Sequence, residues 1–386
     1  MRVFYLSQGK LYMNENGKER YLACGAVENY RRNLHEIQKR NEWKTTGAGA
    51  VFMGVASSHQ IDPSQVYAQV ESFQIVNEDQ IVYAAALERN CGIYIKGPDG
   101  EINTEGFIIR QNDRRIYEID YDPETYGIIA SVSNGRYERH LALYHAEHSD
   151  CRVITEGDSV DVMPSFSKQA SNRVYYSSAG IFVDSRRHTV HHSSYGIYML
   201  DMKMGEVTEI LKDEKYDYIR AREDMRGNIY FIRRPKETDK KKGSLKDTIL
   251  IPFKVLKAIF GWLNFFTQRY SGESLTQNTE GANPSKYTDK SEKEIFIDGN
   301  MINVEKTLKE NELAGEKYPG IVPNSWELMK MGLDGKTKSI KKGIIDYTLD
   351  DEGTIIFSNG KYVLQMLKSG EEEIICKADI AVNLAI

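Results

Sequence analysis

The chain has 386 residues, 40% hydrophobic and 28% charged, a balance that fits a globular protein and excludes a wholly disordered one. Its net charge of −5 excludes a global basic field for nucleic acid, so any cationic function has to be local. Tyrosine is abundant at 24 and proline scarce at 9, which leans toward pleated sheet.

The first element, "RVFYLSQGKLYMNENGKERYLAC" (Arg2–Cys24), reads as strands joined by tight turns. Its apolar run is too short and too interrupted for a secretory signal. The four cysteines, Cys24, Cys91, Cys151 and Cys376, are scattered with no C-x-x-C pair. Both features point to a cytoplasmic protein with reduced thiols. Next comes "AVENYRRNLHEIQKRNEWK" (Ala26–Lys44). Val27, Tyr30, Leu34 and Ile37 share one helical face there, within a helical insertion over 26–49. This helix is expected to cap the ring, with partner binding as its other use.

Tyr- and Ile-rich hairpins then recur along the chain: "QIVYAAALERNCGIYIKGPDGEI", "YGIIASVSNGRYERHLALYHAEHSDCRVI", "NRVYYSSAGIFVD" with "YGIYMLDMKMGEVTEIL", "GNIYFIRR", and "GTIIFSNGKYVLQMLKSGEEEIICK". Ile81, Ile128, Val174 and Ile229 follow one another at 47, 46 and 55 residues. A four-stranded propeller blade takes roughly 40–50. The pattern predicts an all-β, six-bladed β-propeller with two helical insertions, forming one domain over 1–386. Its blades begin near Arg2, Gln69, Ile116, Asp158, Tyr216 and Ile345. A seventh blade around "EIFIDGNMINV" is the alternative count. The N-terminal unit is one strand short, and the strand-like tail "DIAVNLAI" (Asp379–Ile386) is expected to supply the missing strand and lock the ring.

Over Glu156–Leu211 the sequence resembles the TolB-type, WD40-like β-propeller repeat. The resemblance rests on the Asp-x-x-Pro-Ser-Phe-Ser start at Asp161–Ser167, the strand "RVYYSS", and the hairpin "IYMLD…GEVTEIL". In place of the family's Pro-Asp-Gly turn this chain has "SKQASN". The resemblance implies the propeller fold and partner binding as a common use of it; it does not imply a role in the cell envelope.

Catalytic signatures are missing. There is no G-x-S-x-G elbow, P-loop or dinucleotide fingerprint, and no cofactor is implied. "HTVHHSSYG" brings together His188, His191 and His192 as weak metal candidates, and "RHLALYHAEHSD" holds His140, His145 and His148. No cysteine or carboxylate stands at ligand spacing, so loop histidines on a blade rim are the simpler reading. Asp120, Asp161, Asp201 and Asp350, near strand ends, read as turn formers.

The second insertion, 235–324, contains "DTILIPFKVLKAIFGWLNFFTQRY" (Asp247–Tyr270), the greasiest stretch of the chain, and then a polar linker. As a helix, Phe253–Gln268 places Val255, Leu256, Ile259, Phe260, Trp262, Leu263 and Phe266 on its apolar half, with Lys254 and Lys257 on the opposite stripe; Phe253, at its start, is a further candidate for membrane or partner contact. It is too short and too charged to span a bilayer. Three placements stay open: docking on the propeller wall, lying in a membrane interface, or entering a partner's groove. Lys240, Lys241 and Lys242 sit just ahead and would be drawn to anionic lipid. The resulting expectation is a non-catalytic scaffold with a protein partner and no nucleic acid. It would be tethered peripherally through 249–266 to the inner face of the membrane or to a hydrophobic partner. The alternative is an enzyme or receptor using the central channel for a small molecule or metal.

Overall fold

The structure is a computed structural model, and it describes residues 1–45, 67–88, 90–98, 105–134, 137–147, 150–183, 190–236, 294–297 and 300–386. Two compact units emerge: Met1–Pro235 with Tyr318–Ile386, and Lys236–Lys317.

The first unit is a propeller of six four-stranded blades. Blade 1 orders its strands Val382–Ala385, Arg2–Ser7, Lys10–Glu15 and Lys18–Tyr21 from the axis outward. The tail therefore provides the innermost strand of the first blade, with Phe4 paired to Ala385 and Leu6 to Val382. Blades 2 to 6 begin at Ala68, Ile116, Ser159, Tyr216 and Asp346. Blades 3 and 4 touch through one parallel bridge, Arg139 to Val160.

Burial explains why the blades stand out in the sequence. Second strands such as Gln80–Leu87 and Gly127–Asn134 are covered on both faces and are almost wholly buried. They read as continuous apolar runs instead of alternating ones. Outer strands such as Glu206–Leu211 and Thr337–Lys342 are largely exposed and charged. Among the described residues six apolar clusters form, one at each blade-to-blade boundary. The last of them to close joins blade 6, through Ile356 and Val363, to Val3, Tyr5 and Leu384 of blade 1.

Polar seams run beside these clusters near the axis. The Asn383 side chain accepts the Phe73 N–H at 2.8 Å and donates to the Phe73 carbonyl at 3.1 Å. The Ser72 hydroxyl accepts the Ile119 N–H at 3.1 Å, and the Asp120 carboxylate accepts the Phe166 N–H at 2.7 Å. Ser167 donates to Glu223, and the Tyr347 hydroxyl donates to the Arg220 carbonyl at 2.7 Å. Asp346, fully buried, meets Arg220 at 3.2 Å and accepts the Asn383 N–H, which completes the circuit. Bulges make these reaches achievable. Met163, Arg220 and Asn383 adopt φ of 54°, 58° and 53° at register breaks of inner strands. Pro164, which has no N–H to pair, sits inside one of those breaks.

Two of the four expected turn-forming aspartates keep that role. Asp201 accepts the Lys203 and Met204 N–H groups, and Asp350 accepts the Thr354 N–H. Asp120 instead ties blade 3 to blade 4, and Asp161 accepts from the Thr155 and Ser178 hydroxyls. Desolvation pushes the Asp120 carboxyl above its ordinary value, against the pull of the Phe166 N–H and the charges of Arg222 and Lys168. Folding thus favours the protonated form. This group's contribution to stability is complete below its unfolded value of about 3.9 and is lost as pH rises through the folded one. Asp120→Asn should match the parent in urea melts at the acid end and exceed it at neutral pH. Asp120→Ala, which strands the Phe166 N–H, should cost about 1–3 kcal/mol. Equal pH dependence in parent and Asn variant would refute this account.

Helix α1 (Gly25–Thr45) lies in the connection from blade 1 to blade 2. Val27 is buried, and Tyr30 and Leu34 pack against the same cluster, as the periodicity predicts; Ile37 does not join them and is 52% exposed. Among the described residues, the contacts of this stripe with the blade cluster stop at Leu34.

In the second unit, Glu294–Ile297 and Asn300–Asn303 form an isolated two-stranded hairpin followed by helix α2 (Val304–Leu313). Asn303 caps α2 by accepting the Lys306 N–H at 2.9 Å. Among the described residues the hairpin pairs with no further strand, so "EIFIDGNMINV" does not form a four-stranded seventh blade there.

Candidate functional site

Strand alternation decides which end of the propeller each connection leaves from. Links between blades, and links from the second to the third strand of a blade, share one end. Helix α1 belongs to the first kind. The break between Pro235 and Glu327, in blade 5, belongs to the second. Both long departures from the repeat therefore use the same face of the ring.

A cleft of about 600 Å³ between α1 and blade 2 starts at that face, at Leu87, Asn90 and Gln111, and runs back along the blade to Glu105 and Gly106. The sequence explains its construction. Helix α1 begins at "ACGAVE" with no Ser, Thr, Asp or Asn to cap it. The cap comes from blade 2: the Glu105 carboxylate accepts the Gly25 and Ala26 N–H groups at 2.6 and 2.8 Å, and the Tyr83 hydroxyl at 2.5 Å. A carboxylate at a helix N-terminus also meets the positive end of the helix dipole. Beneath it Lys96, only 2% exposed, donates to the Ala23 carbonyl. Desolvation holds the Lys96 ammonium below its ordinary value, and it pushes the neighbouring Cys24 thiol up to about 12. Farther along, the Tyr30 hydroxyl donates to Glu88 at 3.0 Å and Arg31 donates to the Ala68 carbonyl at 2.6 Å. The first half of α1 is thereby fixed to blade 2.

The other wall is basic and aromatic. Arg110 lies 4.5 Å from the Phe107 ring centroid and 5.6 Å from that of Tyr94. Gly92 pairs with Arg110 in the ladder. A Cβ there would come within 2.6 Å of the Ile109 carbonyl oxygen and 3.0 Å of the Tyr94 ring, so glycine leaves Tyr94 its place. Asn29, Asn33, Asn90, Gln111 and Asn112 line the remainder. A smaller cavity of about 140 Å³ adjoins, sharing Asn90 and Asn112 and reaching Cys91, Arg114 and Arg115. Arg115 pairs with Glu71 at 2.6 Å and stacks on Tyr67 and Tyr117. Burial raises the Cys91 thiol above its ordinary value, which keeps it protonated and unreactive.

Phe253, Leu256, Ile259, Phe260, Trp262, Leu263, Phe266, Lys240, Lys241 and Lys242 lie outside the described residues, as does His188. His191 and His192 belong to a short strand, Val190–His192, that lengthens a blade 4 hairpin, with His192 exposed. His140 is buried in blade 3, 3.7 Å from Asp161. Among the described residues no three His, Cys, Asp or Glu side chains converge as metal ligands would, and no helix is long and apolar enough to cross a membrane.

No protein-family model and no curated protein matches the sequence. Among solved structures, TolB from Acinetobacter baumannii aligns with a TM-score of 0.50 at 8% identity, over 99% of this chain and 65% of that one. This chain thus spans 65% of the length of that TolB chain. A chain of the nidogen/laminin complex aligns with a TM-score of 0.50 at 8% identity, over 100% of this chain and 98% of its own. At such identities the likeness speaks for architecture, and that architecture is a TolB-like β-propeller.

Proposed function

We propose that this chain is a non-catalytic interaction scaffold that engages a protein partner on the face bearing α1. The supporting observation is that the connection bearing α1 and both chain ends of the long insertion leave the ring at one face, where the polar cleft along blade 2 begins. The axis is less suited to ligand chemistry, because Ser72, Asp120, Arg220, Asp346 and Asn383 are committed to the seams between blades. A neighbour of the same fold, in the nidogen/laminin complex, was solved together with a protein. A photo-reactive amino acid in place of Asn33 on α1 should yield partner adducts in cells. The same group in place of Asp351, in a turn of the opposite face, should not. Adducts from position 351 alone would overturn the assignment of the face.

The scaffold is further proposed to be cytoplasmic and tethered through 249–266 to anionic membrane. The support is the apolar half carrying Val255, Leu256, Ile259, Phe260, Trp262, Leu263 and Phe266, with Phe253 at the start of the segment and Lys240, Lys241 and Lys242 ahead of it. The intact chain should pellet with phosphatidylserine vesicles, and a version lacking 238–290 should stay in solution. Equal pelleting of the two would rule out the lipid tether.

A further inference from the structure

The cleft beside α1 has a surplus of guanidinium groups in a protein that is acidic overall. Arg110, Arg114 and Arg115 lie within the six residues "RQNDRR". Arg110 has no carboxylate partner among the described residues; its flat contacts with Phe107 and Tyr94 hold it at the wall. Among the described residues Arg114 has only the adjacent Asp113 as an ion-pair partner, at 3.8 Å and exposed. Arg115 binds Glu71 through Nη2, yet its buried Nε finds no acceptor. Glu105, the carboxylate that lines the cleft among the described residues, is already occupied by the α1 N-terminus and Tyr83.

The rest of the lining is amide. Asn33, Asn90 and Asn112 face the cleft with no hydrogen-bond partner among the described residues. Each offers one acceptor and two donors, the pattern that meets the C=O and N–H of an extended backbone. A lone small anion would fit the smaller cavity but would leave the amide wall of the larger one unused. Apolar groups flank the polar floor. Phe107 is 61% exposed on one side, and Ile37 follows Asn29 and Asn33 along one stripe of α1 on the other.

We propose that the cleft receives an extended acidic segment of the partner protein, with carboxylates on Arg110, Arg114 and Arg115, main chain on the asparagines, and apolar residues on Phe107 and Ile37. This inference rests on the scaffold reading above and gives its partner a chemistry. A short linear segment suits the site because one wall is a helix pinned to blade 2 and the other a hydrogen-bonded sheet face.

The test uses the full chain and fluorescein-labelled, capped nonapeptides randomised among Asp, Glu, Asn, Ser and Leu, with Lys and Arg replacing Asp and Glu in a control set. Acidic peptides should bind and basic ones should not, with affinity falling as salt is raised. The double variant R110A/R114A should weaken binding about tenfold or more, and N33D should weaken it severalfold by placing a like charge on the α1 wall. Arg110 does contact the buried Tyr94 ring, so unchanged melting curves are required of both variants before the affinities are compared. Leu333→Ser, in a turn of the opposite face, should leave affinity unchanged. Equal binding of acidic and basic peptides, or affinity indifferent to R110A/R114A, would overturn the proposal. So would saturable binding of inorganic phosphate or polygalacturonate through these arginines without any peptide binding. If peptides fail while position 33 still cross-links a partner, the cleft inference falls and the face assignment stands.

Discussion

Deleting Val382–Ile386 is expected to remove most of the folding stability of the propeller. The deleted strand is the axial strand of blade 1, and Leu384 within it is fully buried. Burying Val382 and Leu384 contributes about 1.5–3 kcal/mol each when complete. The ladder to Arg2–Ser7 and the two bonds between Asn383 and Phe73 add about 1 kcal/mol apiece. Together these approach the 5–15 kcal/mol that typically separates folded from unfolded domains. The truncated chain should unfold at much lower urea concentration, or fail to fold, in equilibrium melts read by far-UV circular dichroism. A midpoint close to that of the parent would mean that the ring holds without its closing strand.

Asp346→Ala should be the most damaging single substitution near the axis. Its carboxylate has no exposure and serves three donors: the Arg220 guanidinium at 3.2 Å, the Asn383 N–H, and the Tyr347 N–H at 2.7 Å. Removing it deprives a mostly buried cation of its counter-charge, a loss of about 3–5 kcal/mol in comparable sites. The same change weakens blades 5, 6 and 1 together, so the loss should appear in one cooperative transition. Asp346→Asn keeps an acceptor and discards the charge, and it should fall between parent and Ala. A loss below about 1 kcal/mol for the Ala variant would show that Arg220 draws its compensation elsewhere.

Much of the architecture was legible because blades repeat and their second strands are buried on both faces. Runs such as "IVYAAAL" and "IIASVS" mark those strands, and their spacing counts the blades. The closing role of "DIAVNLAI" followed from a missing strand in the first unit. What stayed hidden depended on contacts between distant segments. An aspartate near a strand end looks alike whether its donor is in its own turn, as for Asp201, or in the next blade, as for Asp120. The cleft joins Asn29, Asn90, Glu105 and Asn112, which share no motif. Two signals did point toward it: a helix start with no capping residue of its own, and the cluster "RQNDRR" within an otherwise acidic chain. The Ile37 position shows the limit of periodicity, which tells which side of a helix is apolar but not how far the surface beneath it extends.

The seam between Val382–Ala385 and Arg2–Ser7 also sets a kinetic order. Most pairings in this protein join neighbouring hairpins, which form quickly because little chain has to be gathered. The pairing of Phe4 with Ala385 spans nearly the whole chain and cannot be rewarded until the intervening blades are in place. Refolding should therefore pass through a partly ordered species that lacks this one long-range contact. Substitutions at the seam, formed after the rate-determining encounter, should quicken unfolding far more than they slow refolding.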